Sequence, residues 1–138
     1  MTNKEAGVVW EYKFFSRVLD LGHKLYIPAG DNLATDCVIA KRGDGGLVRV
    51  QVKGTTRINK KLSGLPRYQI IAGSGSKSKT PIDCSEVDLL SVYIAPEDTW
   101  YLIPCPALNG KKSLWFYPNS ADSKARFEQY KEAWDILS

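Results

Sequence analysis

Asp36-Cys-Val-Ile-Ala-Lys-Arg-Gly-Asp-Gly-Gly-Leu-Val-Arg-Val-Gln-Val-Lys53 is the stretch that decides how this chain reads. Two short apolar segments, 34–42 and 47–54, flank Gly43-Asp-Gly-Gly46, the layout of a β-hairpin closed by a glycine-rich turn. With the turn centred between Asp44 and Gly45, Asp36 faces Lys53, Val38 faces Gln51 and Ala40 faces Arg49. Side chains alternate along a strand. Asp36, Gln51 and Lys53 therefore project from one face, and Cys37, Ile39, Val48, Val50 and Val52 from the other, an apolar set suited to a core. A slip of one residue would bury Lys53, so the pattern protects its own register. Facing Cβ atoms on such a hairpin lie about 5 Å apart and diagonal neighbours roughly 7–8 Å. An acid, an amide oxygen and an ammonium at that spacing can hold a divalent metal and activate a water. Taken alone, the hairpin fits a surface Asp–Lys pair equally well.

The 138 residues, 43% hydrophobic and 25% charged, suit one globular domain with a real core. No apolar run reaches the length of a membrane span, and the polar start Met-Thr-Asn-Lys-Glu shows no signal-peptide core. His23 is the sole histidine, which argues against a histidine-based zinc site or a Ser-His-Asp triad; it reads as a surface or capping residue. Cys37, Cys84 and Cys105 are odd in number and widely spaced, and read as reduced and mostly buried. The net charge of +4 is modest, but no Asp or Glu occurs from Gly45 to Ile82. That stretch carries Arg49, Lys53, Arg57, Lys60, Lys61, Arg67, Lys77 and Lys79, whereas residues 83–138 hold nine Asp/Glu against five Lys/Arg. A one-sign block beside a candidate metal site has the character of a phosphate-backbone footprint.

Residues 6–22 read as a helix, with Val8, Tyr12, Phe15, Val18 and Leu19 as its apolar residues and Gly22 as its stop. On a helical wheel Glu11 falls between Phe15 and Val18. An ionised carboxylate there costs several kcal/mol unless something pairs with it. A metal, a lysine or a bound water would serve, and so would escape to water at the edge of the stripe. Short strands are expected at 24–27 and 66–72, a second hairpin at 86–95 and 99–104, and a strand at 114–117. A C-terminal helix over 121–137 would be capped by Asn119 or Ser120, with Phe127, Tyr130, Trp134 and Leu137 as its stripe. The Gly/Ser/Lys segment 73–80 reads as a DNA-facing loop. The order predicts an α/β (α+β) domain, a mixed central sheet flanked by helices.

The ordered set Gly7-Val-Val-Trp-Glu11, Thr35-Asp36 and Val50-Gln-Val-Lys53 resembles the PD-(D/E)XK nuclease superfamily. Val87-Asp-Leu-Leu-Ser-Val-Tyr-Ile94 followed by Trp100-Tyr-Leu-Ile-Pro104 is similar to later strands of that superfamily, so the likeness spans roughly residues 5–105. Thr35 stands where the family name has Pro. Gln51 replaces the usual Asp or Glu; its carbonyl can ligate a hard cation without bringing charge. The Gln variant is typical of a branch that includes small intron-encoded homing endonucleases and proteins related to junction resolvases.

The resemblance implies one restriction-endonuclease-like domain over 1–138 and a Mg²⁺-dependent (or Mn²⁺-dependent) endonuclease that breaks both strands of specific DNA sites. Glu11, Asp36, Gln51 and Lys53 would be catalytic. Glu11, Asp36, Gln51 and the Val52 carbonyl would hold the metal. Arg57, Lys60, Lys61, Arg67, Gln69, Lys77 and Lys79 are the expected contacts to double-stranded DNA, with Arg67 and Gln69, alternating on one strand, as candidates for base contacts. One such centre cuts one strand, so a homo-oligomer is expected, a dimer or a tetramer built as a dimer of dimers. The C-terminal helix and Leu114-Trp-Phe-Tyr117 would supply its interface, or else pack the monomer core. The expected location is the cytoplasm of a bacterial or phage-infected cell. A structure-selective nuclease such as a Holliday junction resolvase, or an inactive DNA-binding protein of the same fold, are the alternatives.

Overall fold

Thr2 and Glu5 start the first helix by a reciprocal capping box, each side chain accepting from the other residue's backbone N–H. Helix α1 therefore spans Asn3–Asp20 and begins earlier than its apolar pattern implies. Gly22, with φ of +89°, supplies the left-handed residue just past its end. In the computed structural model, residues 1–30, 33–60, 66–73, 80–120 and 127–138 are described. The buried face of α1 is Trp10, Phe14, Phe15 and Val18. Val8, Tyr12 and Leu19 are instead exposed, at 46%, 64% and 55%. Both sets recur at helical spacing; the one carrying Trp10 and Phe14 faces the sheet, where large rings bury the most apolar area.

Among the described residues eight strands follow: β1 (Lys24–Tyr26), β2 (Cys37–Ala40), β3 (Leu47–Thr55), β4 (Asn59–Lys60), β5 (Pro66–Ile71), β6 (Leu89–Ile94), β7 (Thr99–Pro104) and β8 (Ser113–Phe116). The main sheet has the order β1-β2-β3-β6-β7. Its β3–β6 pair is parallel and its other pairs are antiparallel. A second, antiparallel sheet has the order β4-β5-β8. β6 is buried along its whole length, as a central strand covered on both faces must be. One face meets α1, with Leu89 and Tyr93 against Trp10, Phe14, Val50 and Val52. The other face meets the second sheet, with Leu90, Val92 and Ile94 against Tyr68, Ile70, Leu114 and Phe116. The mixed sheet thus stands as expected, but among the described residues a β-layer, not a second helix, covers its other side. No helix among the described residues is long and apolar enough to cross a membrane.

The hairpin differs in register from the expectation. Cys37 pairs with Val50, Ile39 with Val48 and Ala40 with Leu47, a shift of two residues. The cause is the turn. Lys41 and Gly46 close it, with Gly45 at φ +75° and the Gly46 N–H on Asp44 Oδ1, so its centre falls one residue earlier. A shift of two preserves every face. Cys37, Ile39, Val50 and Val52 do enter the core.

The C-terminal expectation is corrected. Residues 127–138 form 3-10 turns at Glu128–Tyr130 and Trp134–Leu137, not an α-helix; residues 121–126 lie outside the described residues. Glu132 takes φ of +50°, Lys131 bridges to Tyr101, the Glu132 N–H donates to the Trp100 carbonyl, and the Trp100 N–H donates to the Glu132 carboxylate at 2.6 Å. The edge of β7 has unpaired backbone groups that compete with local helix formation. Leu114 and Phe116 are wholly buried in the monomer, so that segment packs the core.

Cys84 and Cys105 form a disulfide, against the reduced reading, while Cys37 is free and buried. The fold brings their Cα atoms within 5.7 Å, the range a disulfide spans. Breaking it by Cys84→Ser is expected to cost roughly 3 kcal/mol, from loop closure over a segment of this size; thermal unfolding with and without dithiothreitol checks this.

Gly54, near the end of β3, lies under the Trp10 indole. A Cβ there would sit 2.5 Å from Trp10 Cδ1. Gly54→Ala is therefore expected to destabilise the fold by about 1–3 kcal/mol, the usual cost of overpacking, as measured by denaturant unfolding.

Candidate active site

The strand segment Val50–Lys53 lies between β2 and β6 at the centre of the sheet. Asp36, one residue before β2, anchors there by two bonds: its N–H donates to the Val50 carbonyl at 2.8 Å, and its Oδ2 accepts the Val52 N–H at 2.7 Å. Both bonds land on residues flanking Gln51, and Asp36 itself lies outside the paired register, which begins at Cys37–Val50. Thr35 donates its hydroxyl to the Glu86 carbonyl at 2.8 Å, tying this corner to the segment that Cys84 staples. Arg49, the first basic residue of the stretch, is committed to Asp88 through its Nε and Nη2 and to the Ser85 carbonyl through Nη1.

The electrostatics bring the predicted residues together. Burial raises the Asp36 carboxyl above its usual range; the Val52 N–H and the Lys53 charge oppose that rise. Burial raises Glu11 as well, and the nearby Asp36 charge adds to it. Cys37, enclosed beside both acids, has its thiol pushed up to about 12, chiefly by burial, and is inert. Glu11, Asp36 and Lys53 thus form one interacting group. Gln51 lies on the same strand, its Oε1 buried without a hydrogen-bond partner among the described residues, and an orphaned buried acceptor costs about 1–3 kcal/mol.

Among the described residues there is no group of three or more His, Cys, Asp or Glu suited to a metal. Two carboxylates are present, and the Gln51 amide oxygen is the further candidate donor. The residues fit a hard divalent cation: two desolvated acids that repel each other and one unsatisfied oxygen. Two concave surfaces flank β3; Gln51 and Lys53 line different ones, and Glu11 and Asp36 line neither. A cleft of about 510 Å³ is lined by Gln51, Ala72, Asp83 and Glu86. A groove of about 330 Å³ is lined by Gly7, Trp10, Lys53 and Arg57.

The basic candidates divide. Arg57 is exposed in the groove beside Lys53. Lys60 lies on β4. Lys61, Lys77 and Lys79 lie outside the described residues. Arg67 and Gln69 share the outward face of β5, where Arg67 stacks 4.1 Å from the Trp115 ring centroid and Gln69 Nε2 donates to Ser113 Oγ at 2.7 Å. Sequence reasoning missed Ser113 and Trp115 as partners. The alternation of Ser113, Leu114, Trp115 and Phe116 shows which of them face outward, but not which strand they meet. His23 accepts the Arg42 N–H on Nδ1, so its side chain ties the end of α1 to the chain after β2 and does not cap the helix.

A bacterial homing endonuclease, I-Ssp6803I, has a similar fold, with a TM-score of 0.72 at 22% identity over 99% of this chain and 93% of that one. No curated protein matches the chain. A sequence model of the PD-(D/E)XK endonuclease family matches residues 1–137. The chain belongs to the PD-(D/E)XK endonuclease family.

Proposed function

We propose that this nuclease is a Mg²⁺-dependent (or Mn²⁺-dependent), sequence-specific endodeoxyribonuclease of the homing type that makes double-strand breaks. The observation that carries the reading is the unsatisfied Gln51 oxygen beside two desolvated, mutually repelling acids and a lysine. Asp36, Glu11, Gln51 Oε1 and the Val52 carbonyl would hold the metal, which would polarise the scissile phosphate and acidify the attacking water. The Val52 N–H fixes the Asp36 carboxylate. Lys53, on the rigid central strand, orients that water and neutralises charge developing on the phosphate. Arg57, Lys60, Lys61, Arg67, Gln69, Lys77 and Lys79 bind the duplex, with Arg67 and Gln69 at the bases.

A homo-oligomer, dimer or tetramer, supplies the second centre that a double-strand break requires. The exposed apolar residues Val8, Tyr12 and Leu19 on α1 support it. Sedimentation at micromolar concentration is expected to show an oligomer; a monomer alone would count against it. The reaction itself is tested on linear duplexes and four-way junctions with Mg²⁺. Preferential cutting of linear duplex is expected, and preference for the junction would favour a resolvase.

A further inference from the structure

The second sheet covers the core with one face, and among the described residues its other face carries exposed and half-buried side chains. Tyr68, Ile70, Leu114 and Phe116 point inward, while Gln69, Ile71 and Ser113 are exposed. Gln69 pairs with Trp115 and Ile71 with Ser113 across β5 and β8, so the stacking of Arg67 on Trp115 and the bond from Gln69 to Ser113 are both diagonal cross-strand contacts.

We propose that this face is a pre-ordered base-reading surface. In it Trp115 and Ser113 are positioning residues that set Arg67 and Gln69 to read base edges in the major groove of duplex DNA. The inference rests on the nuclease reading above and adds the residues that would fix its sequence preference. The Arg67 guanidinium lies over the indole, its Cζ 4.1 Å from the ring centroid; its Nε is buried without a hydrogen-bond partner, and no ion pair holds it among the described residues. Arg49 offers the contrast, its guanidinium spent on Asp88. A flat, pre-set guanidinium matches the two acceptors of guanine, O6 and N7. The bond to Ser113 uses one of the two N–H donors on the Gln69 amide, and a Gln amide pairs with adenine N6 and N7. The major groove admits a two-stranded β-ribbon, and β5 and β8 form such a pair, with only the two-residue β4 on the far side of β5 among the described residues. The segment 45–82, which includes β5, contains no acid to repel phosphate. Contact with phosphate alone would need charge but no fixed plane.

The test uses the full chain with Mg²⁺ on a randomised duplex library, with sequencing of the cut ends. The wild type is expected to enrich G at one position. Arg67→Lys and Trp115→Leu should each reduce that preference roughly tenfold or more while leaving the other positions intact. Trp115→Phe, which keeps a flat ring, should restore it. Arg67→Lys changes no core residue and keeps the test readable if Trp115→Leu fails to fold. Even weakening at all positions, or unchanged preferences in Arg67→Lys, would overturn the inference and leave the nuclease reading intact. Absence of cutting by the wild type would overturn both.

Discussion

Lys53→Ala is expected to slow Mg²⁺-dependent cleavage of duplex DNA by roughly 10²–10⁴-fold, the usual contribution of a positioned proton-transfer group, while duplex affinity changes little. Lys53 pairs with Val92 of β6, a strand buried on both faces, so its backbone sits in the interior of the sheet. Its charge also holds the Asp36 carboxyl down against burial. Removing it would therefore cost the centre twice: the ammonium is lost, and Asp36 ionises less readily. Affinity is spread over many basic residues of the 45–82 stretch, so losing one charge should flatten the salt dependence of binding by only about one unit of slope. Single-turnover cleavage and gel-shift binding in EDTA separate the two effects. Equal loss of both would make Lys53 a phosphate contact.

Asp36→Asn is expected to lower cleavage by at least about 10²-fold, the scale of losing one charge-stabilising group at a reacting centre. In EDTA at neutral pH the variant should nevertheless unfold at a higher temperature than the parent. Burial raises the folded-state pKa of Asp36 above its ordinary value. Between those two values the folded state binds more protons than the unfolded one, so stability falls as pH rises through that window. Asparagine cannot ionise, yet its side-chain oxygen can still accept the Val52 N–H. Below the ordinary carboxylate range the difference between parent and variant should close. Mg²⁺ should raise the unfolding temperature of the parent by mass action and leave Asp36→Asn unmoved. Equal Mg²⁺ stabilisation of both would remove Asp36 from the metal set.

The faces of the hairpin were legible because side chains alternate with a period of two, a rule that survives the register shift. The register itself was not, since Gly43-Asp-Gly-Gly46 offers several ways to close and only the Lys41–Gly46 pairing selects one. Glu11 was legible as an acid on an apolar helix face, although the true stripe of Trp10, Phe14, Phe15 and Val18 competes with an equally periodic false one. The C-terminal segment misleads because its pattern is helical while its strongest bonds are to the edge of β7. The disulfide and the Arg67–Trp115 and Gln69–Ser113 contacts depend on strands far apart in sequence. Nothing local announces them.

Incubating the wild type and the double variant Asp36→Asn/Lys53→Ala with a duplex DNA library, once with Mg²⁺ and once with EDTA, tests the metal-dependent centre most directly. Phosphodiester cleavage is predicted only for the wild type with Mg²⁺, with both proteins still shifting the DNA in a gel. Cleavage that survives EDTA, or that the double variant performs at the wild-type rate, would contradict a hydrolytic site built from Glu11, Asp36, Gln51 and Lys53.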